Sequence, residues 1–162
     1  MIRYGATVFA IIMAVVLQSS VLPVYFAAPF KPDLLLVIMV FLALRISLLA
    51  GAPLSWTLGL VKDVFSGIYL GLNALSFLFI FLVIKNISDR LYTGSVPLFV
   101  IAVSVATLSC ASIDMLFLVM FTESPGIAYS VGVGLVPHLL VNAFVASIIP
   151  LIPGFGRLLE AP

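Results

Sequence analysis

Long, almost uncharged apolar stretches follow one another along this chain, and they limit its possible folds more than any other feature. The stretches 96–121 and 127–149 together contain a single Asp, Glu, Lys or Arg residue, Asp114. In lipid, backbone polar groups must bond within the protein, so only helices or a closed barrel span a membrane. The apolar runs are continuous rather than alternating, which predicts helices.

The composition supports a membrane protein and excludes several other classes. Charged residues make up 8% of the 162 residues, and the mean hydropathy is +1.39. A soluble domain carries roughly 25% charged residues, so this chain has too few to cover a water-facing surface. A net charge of +1 gives no basic surface for nucleic acid. One cysteine, Cys110, permits no intramolecular disulfide and no metal-binding spacing, so we expect no metal or cofactor.

We predict an all-α, polytopic bundle of six transmembrane helices in one integral membrane domain, residues 1–162. Prolines and glycines mark the breaks between its helices. The first apolar stretch, 6–24, is longer than the roughly 7–15 residues of a signal-peptide core, so we predict a retained helix rather than a cleaved signal. The predicted helices cover residues 4–22, 33–45, 52–65, 72–87, 96–121 and 127–149.

The region 34–65 could form one helix or two. As one helix its 32 residues would measure about 48 Å, whereas a bilayer core is about 30 Å thick. We therefore predict two short helices with a tight turn between Arg45 and Pro53.

The distribution of basic residues predicts an inner-membrane protein whose two termini are both cytoplasmic. With six spans, the outer loops hold only Lys31, and Lys62 lies inside the membrane. A single span over 34–65 would instead send Lys85 and Arg90 outward. The basic residues on the predicted inner side are Arg3, Arg45, Lys85, Arg90 and Arg157.

Polar residues inside apolar helices need a physical reason, because they are costly in lipid. Gln18, Asp63 and Asp114 all fall at the outer depth of the predicted spans, so they form a possible intramembrane cluster. The alternatives are snorkelling of Lys62-Asp63 to the interface and a structural hydrogen bond for Asp114. His138 shares a helix face with a polar neighbour four residues on, and we expect a hydrogen bond between helices rather than a metal site.

A stripe of small residues, Ala6, Ala10 and Ala14, would allow close approach of another helix, or it reflects chance in an alanine-containing helix. No GxSxG, HExxH or phosphate-loop motif is present. We therefore predict that the chain is not an enzyme.

Three stretches carry a resemblance to a known family. They are KPDLLL at 31–36, GLVKDVFSG at 59–67 and LGLNAL at 70–75. Together with Asp114 and Asn142, they resemble the bacterial rod shape-determining MreD family. Lys62 departs from the pattern, because the family more often has an apolar residue at that position.

The resemblance implies a fold similar to the S-components of energy-coupling-factor vitamin transporters. It also implies a non-catalytic membrane scaffold of the cell-wall elongation complex, which binds MreC. Through MreC it would join MreB, RodA and a class B penicillin-binding protein in lateral peptidoglycan synthesis. We predict that the partner contact involves Asp63, Gly67 and Gly71 or the alanine stripe.

The alternative is a small-molecule-binding subunit like the S-components, whose ligand would meet Gln18, Asp63 and Asp114. The discriminating feature is a cavity. A solvent-accessible outer cavity with convergent polar groups would favour ligand binding. A bundle closed by leucine and phenylalanine would argue against it.

Overall fold

The computed structural model describes residues 9, 11–26, 30–66, 70–88, 95–121 and 125–151. Within these ranges the regular structure is entirely helical, which confirms the predicted all-α class and the six helices. The helices are α1 (Ile11–Tyr25), α2 (Leu34–Arg45), α3 (Leu48–Ser66), α4 (Leu72–Ser88), α5 (Val96–Phe121) and α6 (Pro125–Ile148), and α6 continues into the 3₁₀ turn Ile149–Leu151.

Among the described residues, two helix boundaries differ from the predicted ones by three residues or more. The first helix passes Pro23 and continues to Tyr25, because the turn before it, Leu17–Val21, is π-helical. Pro23, which has no N–H to donate, therefore stands at the start of a new α-helical turn. Helix α3 begins at Leu48 rather than at 52 and includes Pro53 near its start.

The region 34–65 contains two helices, as predicted, and the turn between them is very short. Helix α2 ends because Ile46 adopts an extended backbone conformation, with φ −106° and ψ 149°. Ser47 follows, and α3 starts at the next residue.

Helix α2 is the axis of the bundle. It contacts α3, α4, α5 and α6, and its side chains are buried almost all the way around. A helix that is apolar on every side belongs in a core. Its 12 residues measure about 18 Å, which is well below the roughly 30 Å of a bilayer core.

Within the residues that the structure describes, three stretches are long and apolar enough to cross a membrane: Leu48–Phe65, Val96–Phe117 and Gly132–Leu151. The apolar helices Ile11–Tyr25, Leu34–Arg45 and Leu72–Ser88 are shorter. The chain is therefore a membrane protein, and six complete crossings remain a prediction.

Helices α3 and α4 form a tight antiparallel pair in which glycine permits the close approach. A Cβ atom at Gly59 would collide with the backbone of Asn73 and Ala74 in α4. Backbone atoms cannot move aside as the end of a flexible side chain can. Small residues at such crossings let helices in membranes pack closely.

Replacing Gly59 with alanine is therefore expected to destabilise the protein by about 1–3 kcal/mol, the usual cost of overpacking. Gly132→Ala in α6 is the matched control, because its added Cβ meets no atom within 4 Å. The control should leave stability unchanged or raise it by up to about 1 kcal/mol through helix propensity. Thermal unfolding in detergent, followed by the fluorescence of Trp56, measures both. Equal melting temperatures for the two variants would contradict the close packing of α3 on α4.

Candidate functional site

Several hydrogen bonds meet at Asp33, which precedes α2 and is only 4% exposed. Its carboxylate caps the helix, since Oδ1 accepts a hydrogen bond from the Leu36 N–H at 3.1 Å. Its own N–H donates to Oδ1 of Asn142 in α6 at 2.8 Å. Pro32 has no N–H to satisfy. Non-helical backbone inside a membrane bundle is tolerated when its polar groups are paired in this way.

Lys62 of α3 neutralises this carboxylate. Its Nζ lies 2.6 Å from Asp33 Oδ2, and the two side chains are 19% and 5% exposed. The ammonium also lies 5.0 Å from the ring centroid of Phe77, within cation–π range. A charge at membrane depth costs several kcal/mol unless it is paired, and here each charge supplies the other's partner.

Gln18 connects α1 to the same centre. Its Nε2 donates to Asp33 Oδ1 at 3.0 Å, and its Oε1 accepts from the Leu35 N–H at 3.0 Å. One amide side chain therefore bonds to the cap of α2 and to one of the backbone N–H groups that a helix start leaves without a partner. Gln18 lies in the π-helical turn Leu17–Val21, a type of distortion that is frequent at functional sites.

Asn142 carries the network into α5. Its Nδ2 donates to Thr107 Oγ1 at 3.1 Å and lies 3.4 Å from Nε2 of His138. The His138 side chain also lies close to the backbone of Lys31. The polar network consists of Gln18, Asp33, Lys62, Thr107, His138 and Asn142, and it joins α1, α2, α3, α5 and α6.

The polar network lies near the middle of the longest helix. Thr107 is 11 residues from the start of α5 at Val96, or about 17 Å. It is 14 residues from the end at Phe121, or about 21 Å. If α5 crosses the bilayer, these polar groups lie deep within it, where hydrogen bonds replace the missing water.

Asp63, the neighbour of Lys62, lies outside the polar network and makes a separate set of hydrogen bonds. Its two carboxylate oxygens accept hydrogen bonds from the backbone N–H groups of Gly71, Asn73 and Ala74, and from the side-chain amide of Asn73, at 2.9–3.1 Å. A carboxylate at a helix N-terminus is stabilised by the unpaired N–H groups and by the helix dipole. Gly71 has φ +98°, which favours glycine at this turn. Asp63 therefore fixes the start of α4.

The predicted cluster of Gln18, Asp63 and Asp114 is distributed over different partners. Gln18 joins the polar network, whereas Asp63 caps α4. Asp114 is partly buried, and its Oδ1 has no hydrogen-bond partner among the described residues, although its charge interacts with that of Lys62. Lys62 pairs with Asp33 instead of snorkelling to the interface.

The other predicted contact residues are placed only in part. Ala14, one member of the alanine stripe, is 6% exposed and packs in the core of this bundle. Ala6, Ala10 and Gly67 lie outside the described residues. Gly71 forms the turn before α4.

A cavity of about 250 Å³ opens beside the polar network. Its lining combines polar residues, including the ion pair, with apolar ones. Its lining residues are Val15, Gln18, Ser19, Pro23, Lys31, Pro32, Asp33, Leu35, Lys62, Phe65 and His138.

The ion pair between Asp33 and Lys62 is absent from the sequence-based predictions, in which Asp33 is only part of a family stretch and Lys62 is a snorkelling residue and a departure from the family pattern. A signal was nevertheless present. The two residues carry opposite charge, and the predicted topology places both toward the outer side. Two costly charges at similar depth are expected to pair.

Comparison with protein families identifies a match over almost the whole chain. The family described as rod shape-determining protein MreD matches residues 1–160. Neither the curated proteins nor the solved structures contain a significant match.

The ion pair predicts a specific pattern of stability. Lys62→Met should destabilise the protein by about 3 kcal/mol, because it leaves the Asp33 carboxylate buried without its counter-charge. Adding Asp33→Asn should restore most of this loss, since asparagine keeps the capping group and removes the charge. Lys85→Met, which removes a lysine from the last turn of α4, is the control. Thermal unfolding in detergent distinguishes the variants, and a double variant no more stable than Lys62→Met would contradict the pairing.

Proposed function

This chain belongs to the MreD family of rod shape-determining proteins, and we propose that it acts in rod shape as a non-catalytic membrane scaffold. In this proposal the chain binds MreC. Through MreC it joins MreB, RodA and a class B penicillin-binding protein in lateral peptidoglycan synthesis. The observation that carries the proposal is the family match over residues 1–160.

The chemistry of the buried acids favours a scaffold over a catalyst. Both oxygens of Asp33 accept hydrogen bonds from the protein, and so do both oxygens of Asp63. Asp63 is only 2% exposed. A general acid or base must reach the proton that it transfers, and these carboxylates bond instead to helix starts and to Lys62. Their role is to hold helices together.

We propose that the α3–α4 turn faces the periplasm and that both termini are cytoplasmic. Arg45 and Lys85 support this orientation, because they lie in the last turns of α2 and α4, at the ends opposite Asp33 and Asp63. Lys62 does not oppose it, since its charge is paired inside the bundle. An excess of basic residues on one side is typical of the cytoplasmic face.

We further propose that the region around Asp63, Gly67 and Gly71 contacts the transmembrane helix of MreC. Asp63 would act indirectly, by fixing the turn before α4. The direct contacts would come from apolar side chains beside it, of which Leu70 is 81% exposed. The alanine stripe has less support as a docking face, because Ala14 already packs in this chain's own core.

The cavity beside the polar network favours a second candidate function. A small-molecule-binding subunit like the transporter S-components would need a pocket with convergent polar groups, and this one has them. Its volume of about 250 Å³ is slightly below the roughly 300–1,000 Å³ of most ligand pockets. Such a subunit would be recovered with an ATP-driven transporter module rather than with MreC.

Purification of the tagged full-length chain in mild detergent from its native membrane is expected to recover MreC. Leu70→Gln should lower that recovery by about fivefold or more, since losing an apolar anchor at an interface costs about 1 kcal/mol or more. Leu49→Gln is the matched control, because Leu49 is also exposed, at 90%, and lies near the other end of α3. Its recovery of MreC should equal that of the unmodified chain.

Two results would count against the proposal in different ways. Normal recovery of MreC by a folded Leu70→Gln protein would place the contact elsewhere on the bundle. Recovery of a transporter module without MreC would contradict the scaffold itself and favour the second candidate.

A further inference from the structure

The cavity beside the polar network has a ligand-binding character that a scaffold does not use. Helix α1, the segment before α2, and helices α3 and α6 all contribute to its lining. Its lining includes the Asp33–Lys62 ion pair, whose charges largely satisfy each other at 2.6 Å. An occupant would therefore meet a firmly built polar surface rather than two loose side chains.

One lining charge lacks an opposite partner. Lys31 lies in the extended segment before α2, and no ion pair to it occurs within the part of the chain that the structure describes. Its backbone lies beside His138, which also lines the cavity. The lining therefore combines a cation that has no ion pair among the described residues with a neutralised pair, and this arrangement attracts an anion.

A further part of the lining is apolar. Val15 and Pro23 come from α1, Leu35 from α2 and Phe65 from α3. Phe65 is also 60% exposed, so this apolar surface continues onto the outside of the bundle, which faces lipid. A free inorganic anion would gain nothing from such a surface, whereas an amphiphile would bury part of its chain against it.

We propose that this cavity binds the phosphate-bearing, anionic headgroup of a membrane lipid, with Lys31 as the recognising cation. The phosphate lies against Lys31, and the uncharged polar groups of Gln18 and Ser19 are within the same cavity. The acyl chains leave along the apolar wall beside Phe65. This site goes beyond the scaffold proposal and does not depend on MreC.

Native mass spectrometry of the purified full-length chain, released from nanodiscs, tests the site. The probes are phosphatidylglycerol, phosphatidylcholine and inorganic phosphate, added separately. We expect one phosphatidylglycerol to stay bound and phosphatidylcholine to bind more weakly. Lys31→Gln should weaken retention of phosphatidylglycerol about fivefold, because a lysine near an anionic lipid surface contributes about that factor. Lys31→Arg should retain it.

Lys85→Gln is the matched control, since it removes the same charge from the last turn of α4, away from the cavity. Equal weakening by Lys31→Gln and Lys85→Gln, or equal retention of both lipids, would overturn the proposal in favour of general lipid contact. Retention of inorganic phosphate at the same affinity, lost in Lys31→Gln, would also overturn it by assigning the cavity to a free anion. None of these results affects the recovery of MreC.

Discussion

The structure depends on the need to begin a helix inside the bundle without water. Helix α2 is buried on nearly every side, so its first N–H groups cannot be left to solvent. Asp33 and Gln18 supply acceptors for Leu36 and Leu35, and Asn142 accepts the N–H of Asp33 itself. The carboxylate that does this is charged, and Lys62 provides the counter-charge. Satisfying one helix terminus thus fixes the positions of α1, α3 and α6 around α2.

Two adjacent residues of helix α3 stabilise the starts of its two neighbours in the chain, α2 and α4. Side chains at consecutive positions of a helix point in different directions. Lys62 therefore reaches the start of α2, while Asp63 reaches the start of α4. Gly59, one turn earlier, lets the backbones of α3 and α4 approach closely enough for the Asp63 contacts. The stretch 59–71, which carries much of the family resemblance, therefore contains residues that hold these helices together.

The sequence predicts the helices well because apolar runs, prolines and glycines act locally. The prediction of two helices in 34–65 follows from length and from the distribution of basic residues, and the structure has a break there at Ile46–Ser47. The start of α3 was harder to predict, since Pro53 suggests a helix start but lies inside the helix. The candidate site was predicted in part: Gln18 is in the polar network, but its partner is Asp33 rather than Asp63. Partners of this kind depend on the rotation of each helix about its axis, which a nearly uniform apolar sequence does not reveal.

Side chains, rather than water, should accept the hydrogen bonds of the first N–H groups of α2. Amide hydrogen exchange of the full-length protein in detergent micelles tests this most directly. The first N–H groups of a helix have no intrahelical partner and ordinarily exchange fast. Here the amides of Asp33, Leu35 and Leu36 should exchange as slowly as those in the middle of α2. The Gln18→Ala change should speed exchange at Leu35 while leaving Asp33 protected through Asn142. Fast exchange at Asp33 and Leu35 in the unmodified protein would contradict the network on which the fold, the cavity and the proposed site all rest.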